Sequence, residues 1–328
     1  MDKISVVLCT YNGQKYIAEQ LDSIINQSLP PDEIIIQDDN STDSTWQILE
    51  SYKQRYPQIK LFKNNPDLKG PTSNFFSAFT KCNPQNLIAV SDQDDIWHID
   101  KLKKQLSFIG TNLLCASNNT QFSKDGFPCE STKRNPIFNP INCFFYGRMA
   151  GHTMLFRQDM LQMAKFSTSY KLTYDFQLSL IALLSHKLCY LDEPLVFHRL
   201  HFEAATATAP TRDRIHLFNE LQNFHILFRN RQILRTERAE RTKSTNELIE
   251  STSFFSPDKI LTLQMGKLIL QNGIMSKFKL WLFFLRNRNS LRLYSDSKYI
   301  FLKALVFPIY MLYYYRYALS PIYKNKFI

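Results

Sequence analysis

Three carboxylates fall within four positions in Asp92-Gln93-Asp94-Asp95, between the apolar run Leu87-Ile88-Ala89-Val90 and Ile96-Trp97. The run reads as a buried strand, so the acids stand where a strand leaves the core. Like charges repel and desolvation penalises each, so the cluster calls for a cation. A hard divalent ion that also takes phosphate oxygens answers that call. An acidic loop capping the next helix is the plainer alternative. Two further polar clusters end apolar runs in the same way: Thr10-Tyr11-Asn12-Gly13 after Ile4–Cys9, and Asp38–Asp43 after Glu33–Gln37. Asp175 opens an apolar stretch, Phe176–Leu184, where a helix dipole favours its charge. Capping its own helix is the plain role of such a carboxylate.

The elements that must position these groups alternate. Periodicity predicts helices over about 16–27, 44–56, 75–81, 100–108 and 176–184. Strands are predicted over 4–9, 33–37, 59–62, 87–90, 113–117, 151–157 and 187–191, with Ser41 or Thr42 capping the second helix and a turn over 70–74. That order gives a doubly wound α/β layer whose ligands bind at the C-terminal strand ends, where all three polar clusters fall. No G-x-G-x-x-G follows the first strand and no G-x-x-x-x-G-K-[ST] occurs, which disfavours a dinucleotide dehydrogenase and a P-loop ATPase. Residues 118–145, with Pro128, Pro136 and Pro140, read as a long loop that could wall an acceptor site.

Six cysteines without a C-x-x-C pair read as thiols in a reducing compartment, and the N-terminus enters a strand at once, so a cytoplasmic protein is expected. The net charge of +11 is one-sided. Residues 1–208 hold 20 Lys/Arg against 21 Asp/Glu, whereas residues 209–328 hold 20 against 8. Two domains are expected, 1–208 and 209–328, the second facing an anionic partner. Nucleic acid is disfavoured, because the first part is near neutral and its site acidic. The stretch Tyr299–Tyr315, interrupted by Lys303 and Pro308, is short for a membrane span. It suits an interfacial helix on an anionic leaflet, with simple packing on the main domain as the alternative.

Ser5–Gly13, Ile25–Ser28, Asp38–Asp43 and Asp92–Asp95, in that order and spacing across about residues 3–205, resemble the family 2 inverting glycosyltransferases of GT-A fold. Ser91–Trp97 with Gly151–Phe156 is similar to the rhamnosyltransferase-type branch that builds bacterial surface polysaccharides; residues 209–328 carry no matching motif. The resemblance implies a GT-A domain, a Rossmann-like and mostly parallel sheet flanked by helices, followed by a helical basic extension. It implies a nucleotide diphosphate sugar donor, dTDP- or UDP-linked, and Mg2+ or Mn2+. It also implies a glycan or polyprenyl-linked acceptor and a peripheral place on the inner face of the cell membrane.

By the same resemblance Thr10, Tyr11 and Asn12 border the nucleotide, Asp39 accepts from the imide N–H of its base, and Asn74 lines base or ribose unless it caps a helix. Asp92 and Asp94 form the D-x-D pair, with Asp94 ligating the ion and Asp92 touching ribose or ion. Gln93 joins the donor-binding set and, with Trp97, points to a deoxyhexose such as rhamnose. His201 stands where relatives have a late His near the diphosphate. The surrounding His198-Arg199-Leu200-His201-Phe202-Glu203 departs from the family's Y-R-x-H-G-x-N at the Tyr and at Gly-x. Asp175 is the implied general base, and Trp97 and His152 are sugar-face and acceptor contacts, with core packing as the alternative. A nucleotidyltransferase of the same fold would need a Gly-rich basic loop after the first strand, which Thr10–Gly13 does not supply. A scaffold with a decayed site is opposed by the intact set Asp39, Asp92, Asp94 and Asp175.

Overall fold

The computed structural model describes residues 2–67, 70–123, 136–146, 149–163, 172–201, 231–292 and 299–314. Two compact units emerge. The first comprises 1–133, 148–200 and 251–254, and the second 134–147, 201–250 and 255–328. Residues 124–135 of the loop 118–145, and all of residues 202–230, lie outside the described residues.

The first unit is built on one eight-stranded sheet. Its strands are β1 (Ile4–Thr10), β2 (Glu33–Asp38), β3 (Ile59–Lys63), β4 (Leu87–Ser91), β5 (Ile96–Trp97), β6 (Leu114–Phe122), β7 (Met154–Arg157) and β8 (Leu188–Arg199). The order is β3-β2-β1-β4-β7-β6-β8-β5. The first four neighbours run parallel, β7 is antiparallel to both β4 and β6, and β5 is antiparallel to β8. β1, β2 and β4 are buried at every position, as continuous β-branched runs covered on both faces must be. Helices α1 (Ile17–Ile25), α2 (Thr45–Arg55), α3 (Pro71–Phe79) and α4 (Lys101–Ile109) follow β1, β2, β3 and β5. Ile17, Leu21 and Ile24 of α1 enter the same core as Val6, Ile34 and Leu102.

Four local expectations change. Residues 71–74 are not a turn but the first turn of α3: Pro71 suits that position because its missing N–H is an orphan there. Gly70 supplies the positive φ of 103° just before it. Neither Ser41 nor Thr42 caps α2: the N-cap position is Ser44, Asp43 Oδ1 just before it accepts from the Thr45 N–H at 3.0 Å, and Ser41 is used elsewhere. Gly151–Thr153 is a 3-10 turn, so β7 begins only at Met154. The final strand continues through Pro194 to Arg199, its pairing with β6 shifting around Ser117–Asn119.

α5 (Pro140–Tyr146) belongs to the second unit, and α6 (Asp159–Met163) and α7 (Tyr174–Leu184) to the first. In α7 only Asp175 is not buried, the signature of a helix apolar all round that runs through a core. The second unit adds α8 (Arg231–Ser251), α9 (Pro257–Leu270), α10 (Ile274–Arg286) and α11 (Ile300–Tyr314). Its own core joins Ile141, Phe144 and Phe145 of α5 to Met265, Phe283, Phe284 and Phe307.

Candidate active site

At the C-terminal ends of the parallel strands the three polar clusters meet. Thr10 Oγ1 donates to Asp38 Oδ1 at 2.8 Å, and Ser41 Oγ and N–H donate to the same carboxylate. The Asn12 N–H donates to Ser41 Oγ, and Asn12 Oδ1 accepts from the Thr42 N–H at 2.8 Å. These bonds lock the loop after β1 onto the loop after β2 and leave Tyr11 55% exposed.

Asp39 is held from three directions. Its N–H donates to the Thr10 carbonyl, Asn64 Nδ2 donates to Oδ1 at 2.8 Å, and the Gly70 N–H donates to Oδ2 at 2.9 Å. Each carboxylate oxygen still has a lone pair for a base N–H. Asn74 is buried beneath. Its Nδ2 donates to the Gln37 carbonyl at 3.1 Å and its Oδ1 accepts from Gln37 Nε2 at 3.0 Å, so it supports the Asp39 region from inside the core. Gln93 likewise commits both ends of its carboxamide, here to the Tyr11 backbone. Asn74 and Gln93 thus brace the site through the protein's own groups.

The acidic stretch is organised by β8 and the 3-10 turn. Asp95 is fully buried and does not cap α4. Its Oδ1 accepts from His198 Nδ1–H at 2.9 Å and from the Arg199 N–H at 3.1 Å. Its Oδ2 is a buried oxygen without a hydrogen bond, 3.3 Å from His152 Nδ1. His152 Nδ1–H donates to Asp92 Oδ2 at 3.1 Å, and the His152 and His198 rings stack with centroids 4.8 Å apart. Burial opposes a charge on His152, but the Asp95 charge and the Asp92 hydrogen bond outweigh it and raise the pKa to about 9. Burial likewise resists ionisation of Asp95, and the two histidines with the Arg199 N–H overcome it and hold the carboxyl below its ordinary range. His152 Nδ1 thus stands between the carboxylates of Asp92 and Asp95.

Arg199 fixes the neighbouring acid. Its Nε donates to the Asp94 carbonyl at 2.8 Å and its Nη2 to Glu19 at 2.6 Å, and its guanidinium lies over the rings of Tyr16 and Phe122 at 4.8 and 4.6 Å. Trp97 is buried, with Lys101 Nζ 3.9 Å from its ring centroid, so core packing describes it and no sugar face is open to it.

Tyr174 links the acidic stretch to α7. Its phenol is pushed well above the ordinary range by burial and by the charges of Asp92 and Asp175. A Cβ on Gly151 would lie 1.9 Å from its hydroxyl, so only glycine fits beside it. Asp175 itself, in the first turn of α7, accepts from the Phe176 N–H at 2.8 Å through Oδ1. His201 is buried and opens the second unit. Sequence reasoning missed Tyr174, His198 and Arg199; the H-R pair preceding His201 was the available signal.

The donors suit a hard divalent ion. Asp92 is 37% exposed at its side chain, and its Oδ1 makes no hydrogen bond with a described residue. Asp94 adds its charge to the same field at His152. Carboxylate oxygens of this kind are the ligands that Mg2+ and Mn2+ take.

The sequence profile described as Glycosyl transferase family 2 matches residues 5–172, the span that carries Asp39 and the acidic stretch. The chain belongs to glycosyl transferase family 2. It is 38% identical over 116 residues to the dTDP-rhamnosyl transferase RfbG of Shigella flexneri, a match covering 34% of this chain and 40% of that protein. It is 35% identical over 133 residues to the teichuronic acid biosynthesis glycosyltransferase TuaG of Bacillus subtilis, covering 39% and 50%. These matches thus span half or less of those relatives' length. The crystal structure of S. aureus TarS residues 1–349 in complex with UDP superposes with a TM-score of 0.57 at 17% identity, covering 99% of this chain and 92% of that one. That likeness gives the GT-A fold, including helices beyond the sheet domain.

Proposed function

We propose that this family 2 glycosyltransferase moves a sugar, rhamnose in the first instance, from a dTDP- or UDP-linked donor to a hydroxyl of a glycan or polyprenyl-linked acceptor. The transfer inverts the anomeric centre and serves cell-surface polysaccharide synthesis at the inner face of the membrane. The observation that supports the reading is the family match over residues 5–172, which takes in Asp39, held by Asn64 Nδ2 and the Gly70 N–H, and Asp92, held by His152. The 38% identity to a dTDP-rhamnosyl transferase supports the choice of sugar.

In this reading Asp39 accepts from the imide N–H of the base, and Thr10 to Asn12 border the nucleotide. Asp92 and Asp94 would hold a divalent ion, which when bound neutralises the leaving diphosphate. His152 keeps Asp92 in place through its ring Nδ1, a preorganised contact that needs no rearrangement during the reaction. Asp175 takes the proton from the acceptor hydroxyl as its oxygen attacks the anomeric carbon opposite the diphosphate. His201 is the candidate late His, contacting ion or diphosphate.

A thermal-shift panel of dTDP- and UDP-sugars, with and without Mn2+, tests the donor reading. The expected outcome is stabilisation by one nucleotide sugar that depends on the ion and disappears in Asp94→Ala. Equal stabilisation of Asp94→Ala would remove the ion role from that residue.

A further inference from the structure

α10 is two-faced along its length. Its second half is anchored, with Leu280, Phe283 and Phe284 buried. Its beginning is not: residues 271–279 are exposed except Ser276, which is half-buried. Ile274 is 88% exposed, Met275 65% and Phe278 52%. Positions 274 and 278 stack on one helix side, with 275 adjacent. Lys277 and Lys279 flank them, also exposed. α11 packs alongside: Trp281 Nε1–H donates to the Leu305 carbonyl at 3.1 Å, and the Phe284 and Phe307 rings lie 4.7 Å apart. It turns Phe301, Leu302 and Val306 outward.

Scattered exposed apolar residues need no explanation, but a helix end bearing three large ones beside two lysines does. Charge selects its occupant. Residues 259–328 hold twelve Lys/Arg and one acid, Asp296. A second copy would bring like charges together. An anionic bilayer offers the complementary charge and an apolar layer at the same surface. No helix among the described residues is long and apolar enough to cross a membrane.

We propose that the exposed beginning of α10 docks this chain on an anionic bilayer, with Ile274, Met275 and Phe278 among the acyl chains and Lys277 and Lys279 on the headgroups. This rests on the membrane location given above and adds the element that performs it.

Co-sedimentation of the full chain with phosphatidylcholine vesicles, with and without phosphatidylglycerol, tests it. Binding is expected only to the anionic vesicles. Ile274→Ser/Met275→Ser/Phe278→Ser should abolish it, and Lys277→Gln/Lys279→Gln should weaken it by about five-fold per lysine at low salt. Phe278→Trp should shift its emission to the blue on those vesicles. Nucleotide stabilisation of the triple variant reports that the catalytic unit is intact. Full binding by the triple variant would overturn the assignment to α10 and leave the membrane location standing. No binding by the unaltered chain would remove both. A fall in molar mass of the triple variant in light scattering would give the surface to a second copy instead.

Discussion

The Gln93 carboxamide pairs with both polar groups of the Tyr11 backbone: the Tyr11 N–H donates to Oε1 at 2.8 Å, and Nε2 donates to the Tyr11 carbonyl at 3.0 Å. The same side chain fills the space over Gly13, where an added Cβ would meet Oε1 at 2.3 Å. One residue of the acidic stretch thus sets the position of the loop proposed to border the nucleotide.

Gly13→Ala and Gln93→Ala should therefore act through the same contact. Each is expected to weaken nucleotide binding and lower stability by roughly 1–2 kcal/mol, the range for losing paired hydrogen bonds. The double variant should cost little more than either single one, because the clash and the strut vanish together. Urea denaturation and nucleotide calorimetry on the four-member cycle check this; strictly additive costs would show that the contact does not couple the loops.

Asp95 is fully buried between two histidines and the Arg199 N–H. Replacing it by Asn leaves the neighbouring charges without their partner. Breaking a buried pair from one side costs roughly 3–5 kcal/mol. Asp95→Asn is thus expected to be strongly destabilised in urea, unlike Asp175→Asn, whose carboxylate is not buried. Equal midpoints for the two would deny Asp95 its structural part.

Lys101 gives a pH signature. It is buried, and burial lowers its pKa from 10.5 to about 7. Below about 7 both the folded and unfolded chains carry the proton, and the folded state bears the full cost of the buried ammonium. Between about 7 and 10.5 the unfolded chain binds the proton and the folded one does not. Stability from this group therefore rises with pH through that window, at most ~1.4 kcal/mol per pH unit. Lys101→Met should remove the rise, which urea midpoints across the window would reveal. A slope unchanged in the variant would assign it to other groups.

Much of the site was legible because its chemistry lies at strand ends. Buried β-branched runs mark β1, β2 and β4, and the polar residues that close them are local in sequence. The bracing of the site was not legible. Gln93 meets Tyr11 across 82 positions, and His198 meets Asp95 across 103. The first follows from the pairing of β1 with β4, and the second from the β5–β8 register, which the pattern of a two-residue strand cannot announce. The H-R pair at 198–199 was visible, but only the fold shows that it grips Asp95 and Asp94. Trp97 stood open between a sugar contact and core packing because aromatic side chains serve sites and cores alike, and burial alone separates the two. Residues 134–147 join the second unit for a similar reason: Phe144 and Phe145 find their partners near Phe284 and Phe307, far along the chain.

Turnover of Asp175→Asn, with the donor chosen by the thermal-shift panel, bears most directly on the proposed chemistry. The variant should bind that donor within a few-fold of the unaltered chain, since Asp175 is assigned to the acceptor proton. Its turnover should fall by about 10²–10⁴-fold, the usual contribution of a general base. Near-normal turnover at normal donor affinity would contradict the assignment and leave Asp175 as a residue of the first turn of α7 only.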